Sequence, residues 1–446
     1  MPTAIFTIGR SGLTATRRSL ELTAQNVANA ENPNYSRRSL TQGELVMTGS
    51  IGANAQDSLG GVKPGVIERA ESALVQRQAR DSSSALSAAK AEFLAMREAE
   101  SAIETSGLYT GLVEFEASLT RLQNNPTEPA LRLSVLEGAR KVAGNFRIAN
   151  GTLANARSLV QAEVSAEALT VNERAKELAA INADLVGARE GTAGRAALLD
   201  ARDKVLRQLS EEFAIEPVIN ANGTADVTLS GTPPLALVTG ALASAVSASF
   251  AADGTASLAV GGMGFVPAGG AMAGRISALT GMAGLQADLD AVAVSAIGLA
   301  NAAQAAGAAA DGTPGQPLFA GTGAGDIAVV LGSASGLATA PAGAPAGSRD
   351  TSNLAALITA LGSATGPVTR ADSMMLGLSS RVSALETRSE GLAVVAASAE
   401  AELLRETGVD LDTEAANLVR LQQAFEANSR VIQVAAELFD TILGLR

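Results

Sequence analysis

The chain has 446 residues and a formal net charge of −12, and it contains no His, no Cys and no Trp. Thiol and imidazole nucleophiles, His general bases and Cys/His zinc sites are excluded by simple absence, which leaves carboxylate, Lys, Ser or Tyr chemistry as the means of any catalysis. The acidic balance, with no Lys/Arg block interleaved with aromatics, argues against a nucleic-acid partner.

Arg10, Arg17 and Arg18 break up the apolar residues of the amino terminus, so no cleavable signal is expected there. On a wheel of about 100° per residue, these arginines and Glu21 share one narrow sector. Phe6, Leu13, Leu20 and Val27 follow one another at spacings of seven, while Ile8, Ala15 and Leu22 line a nearly opposite face. Two apolar faces around a thin charged strip predict a helix with neighbours on most sides. A fully buried core helix fits the same pattern. Asn26 and Asn29, near its end, read as helix caps in preference to buried groups that fix packing register.

Long helices are expected between residues 68 and 125, stopped at Asn124-Asn125-Pro126, and again over 130–190. Asp200, Arg202 and Asp203 read as a solvated helix face with local ion pairs, and so do Asp288 and Asp290. Segment 214–229 switches to a strand pattern centred on Asn222-Gly223, and 247–260 repeats it around Asp253-Gly254, predicting two tight hairpins. The uncharged runs 227–252 and 291–310 are long enough to raise the question of a membrane span. The first holds Pro233-Pro234 and the second is mostly Ala, with Asn301 and Gln304, so no span is expected.

The helical period returns over 275–301 through Ile276, Leu279, Met282, Leu285, Leu289 and Val292. A Gly/Pro-rich excursion follows near 311–347, and then a long helix over 373–406. At the carboxyl end Leu411, Leu418, Phe425, Ile432 and Phe439 are each seven apart, with Leu421, Ala435 and Ile442 three positions further on, the pattern of a coiled-coil seam. Asp412, Glu426, Arg430, Glu437 and Asp440 gather on one strip, and Asp410, Asp412 and Glu414 are placed to cap the first turn.

The expected fold is mostly α with inserted β modules. Paired terminal coiled-coil helices take 1–45 and 408–446, and a long helical rod domain takes 60–212, 272–310 and 370–407. A β-rich outer domain takes 213–271 and a Gly/Ala/Pro-rich variable segment takes 311–369. No catalytic, metal or cofactor residue is singled out. The candidate functional residues form an assembly interface: Phe6, Leu13, Leu20 and Val27 with Leu411, Leu418, Phe425, Ile432 and Phe439. For each of them an ordinary intramolecular core is the alternative.

Asn26-Val27-Ala28-Asn29 followed by Asn32-Pro33-Asn34-Tyr35-Ser36-Arg37 resembles the amino-terminal signature of flagellar rod, hook and hook-associated proteins. Tyr35-Ser36-Arg37 narrows this to the FlgK family of hook-associated junction proteins. That family usually has Gly where this chain has Asn34, a residue that tolerates the same left-handed backbone. The ending from Val409 to Leu443 is similar to the family's ending almost position by position. Leu122-Gln123-Asn124-Asn125-Pro126, Leu198 to Asp203 and Gly315 to Phe319 are similar to internal segments in the right order.

The resemblance implies concentric domains with the terminal helices innermost and self-assembly into a ring or helical layer. It implies hook protein and a second hook-associated junction protein as neighbours, and an export chaperone on the carboxyl-terminal helix. It also implies an extracellular place at the hook–filament junction, reached by type III export without a cleaved signal peptide. A hook or distal-rod subunit shares the terminal heptads, but Tyr35-Ser36-Arg37 and Leu438-Phe439-Asp440 argue against it. A coiled-coil surface adhesin would normally show a cleavable signal or an anchor. A cell-wall hydrolase would need two carboxylates converging in a cleft, and nothing in the sequence points to such a pair.

Overall fold

The computed structural model describes residues 2–44 and 60–444, without the side chains of Pro2, Thr3, Ala4, Ile442 and Leu443. In chain order these residues form helices α1 (Pro2–Ala28), α2 (Ala73–Glu104), α3 (Leu108–Asn124), α4 (Pro129–Gly187), α5 (Ala193–Glu212), α6 (Gly270–Ala305), α7 (Ser352–Leu361), α8 (Pro367–Thr407) and α9 (Leu411–Gly444). Strands β1 (Arg38–Glu44) and β2 (Val62–Arg69) precede α2. Between α5 and α6 come β3 (Ile215–Ile219), β4 (Ala225–Leu229), β5 (Leu235–Thr239), β6 (Leu242–Ala243), β7 (Val246–Phe250), β8 (Ala256–Val260) and β9 (Met263–Pro267). The chain divides into two compact units, Met1–Ala85 with Val171–Ala245 and Ala393–Arg446, and Leu86–Thr170 with Val246–Leu392.

In the first unit α1 packs against α9, and the antiparallel β1–β2 hairpin lies on α1. Ser11 on α1 anchors it, since its Oγ accepts the Val62 amide at 3.1 Å. Strands β3, β4, β5 and β6 form an antiparallel sheet in that order. Gly223 takes φ +85 in the predicted Asn222-Gly223 turn, a backbone that an L side chain rarely adopts. Asn182 on α4 holds this sheet. Its Nδ2 donates to the carbonyls of Ala225 and Gly240, and its Oδ1 accepts the Ala225 amide at 2.9 Å.

In the second unit β7, β8 and β9 form antiparallel pairs around the predicted Asp253-Gly254 turn. That turn rests on α4, where Arg157 donates to the Asp253 carbonyl and Gln161 to that of Gly254. Helix α6 buries Leu279, Met282, Leu289 and Val292, so the predicted 275–301 periodicity is the core stripe of its unit. Among the described residues α6 is also the one helix long and apolar enough to cross a membrane by length and composition.

Segment 311–369 is more ordered than its Gly/Ala/Pro content suggests. Buried Arg132 donates to the carbonyls of Pro126 and Leu337 and to the Thr339 hydroxyl, tying this segment to the start of α4. Phe319 packs edge-on to Phe115, with ring centroids 6.3 Å apart. Helix α7, which composition did not announce, buries Leu354, Leu357 and Leu361 at spacings of three and four.

Candidate assembly interface

Helix α9 begins with a side-chain cap. Asp410 Oδ1 accepts the amides of Asp412 and Thr413, and the Thr413 and Asp412 hydrogen bonds hold the Asp410 carboxyl below its ordinary pKa. From there α9 runs antiparallel to α1: Asn26 meets Glu414, Thr16 meets Asn428, and Gly9 meets Ile432. The buried seam on α1 consists of Gly9, Ala15, Thr16, Leu22, Thr23 and Asn26. It is made largely of small and polar side chains, which lets the backbones come close. A Cβ on Gly9 would sit 2.9 Å from Ile432 Cγ1, and one on Gly12 would sit 2.6 Å from Asn428 Oδ1.

Most of the apolar heptad residues flank this seam, while Ile432 lies in it against Gly9. Phe6 is 44% exposed, Val27 40%, Leu411 51% and Phe439 47%. Leu13, Leu20, Leu418, Phe425 and Ile432 are half-buried, and the Ile442 side chain lies outside the described residues.

Asn26 corrects the cap reading. It is 1% exposed and satisfied on all sides. Its Nδ2 donates to the Arg38 carbonyl at 2.9 Å and to Glu414 Oε1 at 3.0 Å, while its Oδ1 accepts the Tyr35 hydroxyl at 2.8 Å and the Arg38 amide at 3.1 Å. A polar residue that can satisfy these groups in one alignment alone fixes the register of the two helices. Asn29 stays local and donates to the Gln25 carbonyl.

The Tyr35-Ser36-Arg37 signature continues the network. The Arg38 guanidinium stacks 4.7 Å from the Tyr35 ring centroid, Ser36 is buried, and the Arg37 amide donates to the Thr407 carbonyl. Burial lifts the Tyr35 phenol above its ordinary pKa. Asn34 does not take the left-handed backbone, since no described non-glycine residue has positive φ. Its side chain works instead as an acceptor for Arg207 Nη2 at 2.8 Å.

A buried charge cluster underlies the hairpin, where a solvated helix face was expected. Arg38 Nη2 donates to Asp200 Oδ2, Arg69 Nε to Asp200 Oδ1 and Arg69 Nη2 to Asp203 Oδ2, each at 2.6 Å. Arg202 donates to Asp203 Oδ1 and to the Gly223 carbonyl, which joins β2, α5 and the β3–β4 turn. The reason for the departure is tertiary: β1 and β2 bring two guanidiniums onto the α5 face, and those charges are stable there only when matched. Asp288 is exposed as expected, whereas Asp290 accepts the Ala324 amide.

The arrangement offers packing surfaces and matched ion pairs, and among the described residues no group of three or more acidic side chains is placed to hold a metal. The family profile described as "Flagellar hook-associated protein FlgK helical domain" matches residues 97–319, half of the chain. The chain belongs to the FlgK family. A second profile, "Flagellar basal body rod FlgEFG protein C-terminal", matches residues 402–445 and so takes in the whole α9 heptad series.

The chain is 28% identical over 221 residues to flagellar hook-associated protein 1 of Bacillus subtilis, covering 48% of this chain and 44% of that one. Against its Escherichia coli counterpart it is 25% identical over 224 residues, covering 49% and 40%. The matched region thus spans less than half the length of either relative. The solved structure of the flagellar hook junction protein FlgK from Burkholderia pseudomallei aligns with 55% of this chain and 46% of its own, at 23% identity and a TM-score of 0.49.

Proposed function

We propose that this FlgK-family chain is a structural, non-catalytic subunit of the layer that joins the flagellar hook to the filament, built into that layer through α1 and α9. The observation that carries the reading is the division of labour on the helix pair. Gly9, Gly12, Thr16, Thr23 and Asn26 close the pair within one chain, while Phe6, Val27, Leu411, Leu438 and Phe439 stay exposed. Large apolar side chains held in rows on the outside of a finished pair are suited to neighbours, because covering them adds roughly 25 cal/mol per Å² removed from water.

The residues assigned to these contacts are Phe6, Leu13, Leu20 and Val27 with Leu411, Leu418, Phe425, Ile432 and Phe439. Head-to-tail contacts of this kind do not close in pairs and build rings or helical layers. Hook protein on one side and a second hook-associated junction protein on the other are the neighbours such a layer needs. Before export, the exposed apolar row of α9 is the surface an export chaperone would cover, and type III delivery would place the chain outside the cell.

Deleting the gene from the motile cell, with electron microscopy of the surface and an assay of the medium for flagellin, tests the reading. Hooks without filaments and flagellin lost to the medium are expected. Missing hooks would assign the chain to hook or distal rod, and normal filaments would overturn a junction role.

A further inference from the structure

The charges on the α1–α9 pair are sorted by helix. On a wheel of about 100° per residue, Arg10, Arg17 and Arg18 lie on the side of α1 turned away from the seam. Glu426, Glu437 and Asp440 lie on the side of α9 turned away from it, and all six are exposed. One edge of the pair is therefore basic and the other acidic. Arg17 is matched on its own helix by Glu21 at 3.0 Å, and Arg430 interrupts the acidic edge. Arg10, Arg18, Glu426, Glu437 and Asp440 have no ion-pair partner among the described residues.

A two-fold contact through either edge would set like charges against each other, whereas a head-to-tail contact sets basic against acidic. We infer that the basic edge of α1 on one copy docks against the acidic edge of α9 on the next, so that the occupant of each edge is a second copy of this chain. The inference rests on the self-assembly reading above and adds the contact that reading leaves open. The apolar residues flanking the edges supply area. The charges supply direction, because exposed ion pairs add little affinity but strongly disfavour the wrong orientation.

Two charge-reversed chains test this in a strain deleted for the gene: one with Arg10→Glu and Arg18→Glu, the other with Glu426→Lys and Glu437→Lys. The contact predicts that either chain alone leaves the cells without filaments and that expressing both together restores them. In the mixture each α1 edge again meets an opposite α9 edge, and restoration also shows that both chains are exported. Combining all four substitutions in one chain gives the same rescue.

Normal incorporation of either variant alone, or failure of the chain that carries all four substitutions, would overturn the contact. Self-association of the purified chains, read by sedimentation at low and high salt, separates this outcome from failure of the junction reading. The wild type and the mixture should associate, salt should weaken both, and single variants should stay apart. Association that is indifferent to charge reversal and to salt would overturn the contact wherever in the flagellum the chain belongs.

Discussion

Asn26 and Glu414 stand 388 positions apart and meet at 3.0 Å, the Asn26 amide donating to the carboxylate. The same amide serves the Arg38 backbone and the Tyr35 hydroxyl, so one buried side chain sets how both ends of the polypeptide lie against the hairpin. Asn26→Leu keeps the branched heavy-atom shape but leaves Glu414, the Tyr35 hydroxyl and both the amide and the carbonyl of Arg38 without this partner. At roughly one to three kcal/mol for each buried polar group stranded, the expected cost is at least about 4 kcal/mol. Hydrogen exchange should show protection lost along both α1 and α9 while α3 keeps its own. Glu414→Gln retains an oxygen acceptor and should leave protection nearly unchanged. An equal loss from both variants would show that charge rather than hydrogen bonding holds the ends together.

Asp203 makes the buried cluster sensitive to acid. Burial alone would push its pKa up, but the guanidiniums of Arg69 and Arg202 prevail and hold it below the ordinary carboxylate value. A carboxyl held low in the folded state contributes stability that is fully present above its unfolded pKa of about 3.9 and is lost as pH falls through the folded value. Exchange protection of α5 should therefore decline as pH drops below about 4. Asp203→Asn should flatten that decline and lower protection at pH 7. Asp203→Ala leaves buried Arg202 without a carboxylate and Arg69 with Asp200 alone, and should cost about 3–5 kcal/mol. A variant as stable as wild type at pH 7 would show that water satisfies Arg69 and Arg202.

Most of the helices and both β3–β4 and β7–β8 hairpins were legible in the sequence because their signals are local: a 3.6-residue stripe through Leu279, Met282 and Leu289, or a turn pair such as Asn222-Gly223. The seam was legible only in part. Periodicity picked out Ala15, Leu22, Ile432 and Ala435, which lie in the contact, but Gly9, Gly12, Thr16 and Thr23 carry almost no hydropathy signal, so most of its α1 side went unseen. The Asp200–Asp203 cluster was misread for another reason. Its partners Arg38 and Arg69 lie 162 and 131 positions from Asp200, and a helix-face argument sees only neighbours three or four residues away. The available hints were the aromatic before Ser36-Arg37 and the family-like run Leu198 to Asp203, which mark the two sides of the site but not that they pack together.

Gly12 tests whether close approach or helix propensity rules α1. Ala in place of Gly gains up to about 1 kcal/mol of helix propensity, while its methyl would meet the end of the Asn428 side chain, which can swing aside. Gly12→Ala should therefore be near neutral. Gly12→Leu adds a branched side chain with nowhere to go between the helices and should cost about 1–3 kcal/mol through overpacking. Thermal unfolding of the α1–α9 pair, followed through exchange or limited proteolysis at the chain ends, separates the two. Equal tolerance of Ala and Leu would show that the helices are free to spread.

Phe425 and Phe439 belong to one heptad row but differ in what surrounds them, so the same substitution should have different consequences. Phe439 is about half exposed, so its charged replacement removes less packing within the chain than the same change at Phe425. Phe439→Asp should leave α9 nearly as well protected as in wild type while blocking incorporation into the flagellum, because an unpaired carboxylate would have to be buried against a neighbouring subunit. Phe425 is half-buried, so Phe425→Asp should weaken the α1–α9 pair as well, with faster exchange in the free chain and the same loss of incorporation. Electron microscopy of cells carrying each variant, set beside exchange data on the purified chains, reads the two effects separately. If Phe439→Asp cells grew normal filaments, Phe439 would face solvent in the assembled layer, and the outward apolar row would have to be assigned without it.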